Sequence, residues 1–82
     1  MKIYDYKGRK NISGNRIREA RLKKRLSQAD FAARLQIAGS TMERDSVSRI
    51  EIGTRFVADY ELMIIAEILD VTVDWLLSEG RE

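Results

Sequence analysis

The chain has 82 residues, 44% of them hydrophobic, and contains no cysteine, histidine or proline. This is one small domain's worth of chain with enough apolar side chains to fold. The composition excludes disulfides, cysteine–histidine metal sites and thiol or imidazole catalysis. No apolar run reaches the length of a membrane span or a signal-peptide core, so a location in the cytoplasm, or the bacterial cell interior, is expected. The net charge of +2 hides a gradient: ten bases stand against two acids in residues 1–25, four against four in 26–58, and one against seven in 59–82. A chain polarised in this way suits a surface facing an anion such as nucleic acid; the alternative is that the runs are ordinary solvated helix faces.

Residues 1–14 show no sustained period and read as a basic, partly flexible N-terminal arm. Lys7, Arg9 and Lys10 are candidates for reaching a DNA minor groove, and a frayed terminus without function is the alternative. Ile3, Tyr4 and Tyr6 are candidates for docking on the body or for forming a short extended piece. A first helix is expected over 16–25, with Asn15 as its N-cap and Ile17, Ala20 and Lys24 on one face. Ser27 with Asp30 three residues on has the form of a capping box. The helix it opens is expected to bury Ala29, Phe31, Ala32 and Leu35. Gln36 to Met42, with Gly39, Ser40 and Thr41, reads as a loop.

A third helix begins near Glu43 or Arg44 and ends at Gly53. Val47 and Ile50 face inward, leaving Arg44, Asp45, Ser46, Ser48 and Arg49 outside. Glu51 opposes the dipole at the C-terminal end, which calls for a cationic partner. After a loop at 54–57, a fourth helix over 59–69 carries the stripe Leu62, Ile65, Ala66 and Leu69, broadened by Met63, Ile64 and Ile68. Thr72 is placed to cap a short fifth helix, 73–77, whose Trp75 packs on the core. Phe56 and Val57 are either a buried loop anchor or part of a dimer surface. Residues 79–82 form a polar tail. Residues 15–78 thus read as one all-α domain of five helices. Within it, Ser27 to Gly53 forms two short helices joined by a turn, and the second presents a polar, basic face suited to the major groove.

Three pieces, IREARLKKRLSQADFAARL, SVSRIEIGTR and ELMIIAEILDVTVDWLL, stand in this order between Gly14 and Leu77. Together they resemble the Cro and phage-repressor type of helix-turn-helix proteins, also called XRE-like. The resemblance implies a lambda-repressor-like DNA-binding domain. It implies that Gln28 binds a phosphate beside the start of the second helix. Arg44, Asp45, Ser46 and Arg49 would face base edges, with an arginine gripping guanine by two hydrogen bonds. Arg55 would contact backbone phosphate, and Arg21 would form a structural ion pair with Glu51. Two departures stand out. The link at 36–42 is about five residues longer than the family's usual turn, and either projects toward the DNA backbone or covers the core. A branch with a similar link carries RxVxDxEL, here RFVADYEL, in which Ala58 replaces a capping threonine and leaves Asp59 as an alternative cap.

The function this implies is a sequence-specific transcriptional regulator, a repressor acting by occupancy, bound as a homodimer to a two-fold site in double-stranded DNA. The alternative is a DNA-binding antitoxin or accessory subunit whose acidic C-terminal half docks a protein partner. An enzyme is not expected, since no nucleophile–base pair or phosphate-binding loop is present. Neither a cofactor nor a metal is expected.

Overall fold

The computed structural model describes residues 5–78. Five helices follow one another: α1 (Gly14–Lys23), α2 (Gln28–Ile37), α3 (Arg44–Ile52), α4 (Asp59–Leu69) and α5 (Val73–Leu76). Among the described residues there are no strands, only a single antiparallel bridge between Tyr6 and Arg9. No helix among them is long and apolar enough to cross a membrane.

The core gathers one apolar stripe from each helix. Ile17 and Ala20 come from α1, Phe31, Ala32 and Leu35 from α2, and Val47 and Ile50 from α3. Leu62, Ile65, Ala66 and Leu69 come from α4, and Leu76 closes one end from α5. The spacings of three and four residues put each set on one helical face. Ala29 and Met63 lie outside this core: Ala29 is exposed on α2, and Met63 sits on the solvent side of α4. Lys24 also points outward from the end of α1, where it pairs with Asp70.

The caps show how each helix is started. Ser27 Oγ accepts from the Asp30 N–H at 2.9 Å and Asp30 reaches back to the Ser27 N–H at 3.4 Å, closing the capping box of α2. Thr72 Oγ1 accepts from the Trp75 N–H at 3.0 Å and starts α5. The first helix begins two residues before the expected start, at Gly14, with Ser13 rather than Asn15 at the N-cap. Ser13 makes no capping hydrogen bond through its side chain. Asn11 Oδ1 answers the Gly14 N–H instead, at 2.8 Å. Ala58 likewise has no side-chain oxygen to cap α4, and Asp59 is the first helical residue rather than the cap. Glu61 Oε1 does half of the work by accepting from the Ala58 N–H at 2.9 Å.

The long link between α2 and α3 covers the core. The α2 helix ends in a Schellman arrangement, with the Ser40 N–H on Leu35 O at 2.9 Å and the Gly39 N–H on Gln36 O at 3.0 Å. The chain then turns down so that Met42 is buried against the core. Gln36 Nε2 donates to Met42 O at 2.9 Å and holds that descent in place.

Candidate nucleic-acid interface

The geometry starts with what fixes α3. Val47, Ile50 and Glu51 are buried on one side of this helix. On the other side Arg44, Asp45 and Arg49 are exposed, with Ser46 half-buried at the edge. Asp45 and Arg49 are one turn apart and form an ion pair. Such an exposed pair is worth about 0.5 kcal/mol, so Arg49 is oriented by Asp45 without being locked to it.

Glu51 carries the least expected burial. Its side chain is 3% exposed and that of Arg21 is 8% exposed. Arg21 Nε donates to Glu51 Oε2 at 2.7 Å and Nη2 to Oε1 at 3.0 Å. The remaining terminal nitrogen, Nη1, donates to Leu26 O at 2.8 Å. One guanidinium therefore ties α1 to the last turn of α3 and to the turn before α2. It also supplies the cation that Glu51 requires.

Gln28 belongs to the same cluster. Its Nε2 donates to Glu51 Oε1 at 3.1 Å. The amide expected to meet a phosphate is thus turned partly inward, with one of its two N–H groups engaged. The residue still stands at the first position of α2, half-buried beside α3.

Arg55 is the clearest departure. Its Nη1 and Nη2 donate to Glu61 Oε1 and Oε2, both at 3.1 Å, and Nη1 also donates to Phe56 O at 2.8 Å. This is a two-pronged pair closing the loop between α3 and α4. Glu61 was missed by sequence reading, although its place in RFVADYEL was the available signal. Burial pushes the Glu61 carboxyl up, but the Arg55 hydrogen bonds, the Ala58 N–H and the Arg55 charge outweigh it and hold it below its usual value.

Of the three N-terminal bases, two are held on the body. Arg9 does not extend outward but lies on the end of α3, donating to Glu51 O at 3.3 Å. Lys10 pairs with Asp5 and lies over the Phe56 ring, 5.9 Å from its centre. Lys7 is exposed at the tip of a turn. Ile3 and Tyr4 lie outside the described residues, as does the tail at 79–82. Trp75 is half-buried and carries Arg16 over its ring at 4.5 Å. Phe56 is exposed while Val57 packs on the core. Among the described residues no cluster of carboxylates could hold a metal.

A search of curated proteins finds no match. A family model described as helix-turn-helix, of the Cro/C1 type, matches residues 17–76, which run from the buried face of α1 to the last residue of α5. The chain belongs to this XRE-like helix-turn-helix family of DNA-binding regulators.

Proposed function

We propose that the chain is a sequence-specific transcriptional regulator that reads the DNA major groove with α3 and represses by occupying a promoter. The observation that carries this reading is the two-sidedness of α3. Arg44, Asp45 and Arg49 face solvent, while Val47, Ile50 and the Arg21–Glu51 pair hold the opposite side in the core. A polar face on a rigidly seated helix is what reading base edges requires.

Arg44 and Arg49 are the residues assigned to guanine, with Asp45 and Ser46 beside them. Gln28 approaches a phosphate through the N–H that Glu51 leaves over. Arg55 keeps a backbone contact only through the N–H groups not taken by Glu61 and Phe56. One α3 spans few base pairs, so useful specificity needs a second copy on a two-fold site. The exposed side chains of Phe56, Tyr60 and Met63, about half or more accessible, favour that copy meeting the region where α4 begins. The proposed setting is the cytoplasm, on double-stranded DNA.

Selection from a random DNA library at near-physiological salt tests this reading. An enriched palindromic site is expected. Binding without enrichment that disappears as salt rises would reduce the protein to generic electrostatics and sink the proposal.

A further inference from the structure

We propose that residues 5–13 form a clamp that sets the position of α3 for base reading, with Arg9 and Asn11 as its positioning residues. The inference rests on α3 being the helix that meets DNA.

The last carbonyls of a helix have no partner within it. At the end of α3 they are answered by the N-terminal segment. Asn11 Nδ2 donates to Ile50 O at 3.0 Å and to Arg55 O at 2.8 Å. Arg9 Nη2 donates to Glu51 O at 3.3 Å, and the Lys10 N–H donates to Gly53 O at 2.7 Å. Because Asn11 Oδ1 also accepts from the Gly14 N–H, one side chain joins the start of α1, the end of α3 and the loop beyond.

A tight turn aims this segment. Tyr6 and Arg9 exchange backbone hydrogen bonds at 2.7 and 3.0 Å, and between them Lys7 and Gly8 have φ of +52° and +81°. That is the form of a two-residue hairpin loop, which sends the chain straight back. Arg9 Nε bonds to Asn11 O at 3.2 Å, and the guanidinium then lies across Gly53. A Cβ at Gly53 would stand 2.6 Å from Arg9 Cζ. A positive charge at this end also suits the helix dipole.

The arrangement does more than add contacts. Glu43 gives α3 no side-chain cap at its N-terminal end, and the buried residues of the helix lie in its middle and last turn. The clamp holds the C-terminal end of α3, beside the buried Val47, Ile50 and Glu51, and so contributes to the direction of its axis. Arg44 is about 12 Å away along the helix. A tilt of about 5° at the clamp would move Arg44 by about 1 Å, more than the roughly 0.5 Å that a precise contact tolerates.

The test compares Arg9→Ala and Asn11→Ala with the parent chain, well below their melting temperatures. Amide hydrogen exchange at Gly53 and Thr54 should quicken about tenfold while α2 amides stay unchanged. The ratio of affinity for the selected site to affinity for random DNA should fall about tenfold in both variants, with random-DNA affinity unchanged in Asn11→Ala, which alters no charge. Arg9→Lys, which keeps the charge at the helix end, should recover part of the ratio. Unchanged exchange at Gly53 and Thr54 overturns the clamp. Faster exchange with an unchanged ratio makes Arg9 and Asn11 simple fasteners and overturns their positioning role. A parent chain that does not discriminate between sequences overturns the reading of α3 itself, and the positioning role with it.

Discussion

Glu51 is the side chain that α3 has least local reason to carry, an acid at the negative end of a helix and almost fully buried. It persists because Arg21 and Gln28 satisfy its oxygens. Desolvating such a pair costs nearly as much as the attraction returns, so its net value is small, whereas stranding one member is expensive. Arg21→Ala is therefore expected to cost about 3–5 kcal/mol. Removing both members, as Arg21→Met with Glu51→Leu, should cost clearly less. Denaturant titration of the cycle decides the matter, and equal losses would contradict the buried-pair account. Glu61 sets a pH dependence. Its folded carboxyl lies below its usual value of about 4.3. The stability linked to it is present above that value and lost as pH falls through the folded one. Glu61→Gln should keep the bond to the Ala58 N–H while flattening the loss of stability below about pH 4.3. An unchanged acid limb in the variant would remove Glu61 as its source.

At the scale of elements, Gly14 shows how packing overrides local preference. Helix propensity alone favours Gly14→Ala, by less at this first helical position than the roughly 1 kcal/mol of a helix interior. Yet a Cβ there would stand 2.2 Å from Ile50 O, a backbone atom of α3 that cannot swing aside. The substitution is expected to lower stability by about 2 kcal/mol by forcing α1 from α3, and a gain measured by thermal unfolding would contradict this close approach. The same override explains what the sequence could and could not reveal. The bounds of α4 and the capping box of α2 were legible because both rest on neighbours in the chain. The start of α1 was not, because its capping oxygen comes from Asn11, outside the helical pattern, and its first residue is a glycine. The burial of Met42 was equally hidden in a link of small polar residues. Among the site residues, the exposure of Arg44, Asp45 and Arg49 followed from period alone. The commitments of Gln28 to Glu51 and of Arg55 to Glu61 join residues 23 and 6 positions apart, and periodicity carries no information about such pairs.

At the scale of the whole molecule, side-chain bonds from several segments converge on one helix. Bonds reach α3 from α1 through Arg21, from α2 through Gln28 and from the N-terminal segment through Arg9 and Asn11. Its outer face is left to Arg44, Asp45 and Arg49. In the proposed reading, the basic excess of residues 1–25 supplies general attraction to phosphate, which is salt-sensitive and blind to sequence. Discrimination in that reading comes from the few side chains on α3, Arg49 among them, which its exposed pair with Asp45 orients at little cost. The most direct measurement is to select binding sites from one random library with the parent chain and with Arg49→Ala, side by side. The variant is expected to lose about 1–3 kcal/mol on the parent's site and to relax one position in each half-site, the others remaining specified. A uniform loss over all sequences, or an unchanged site, would contradict it and take base reading away from the face that carries Arg49.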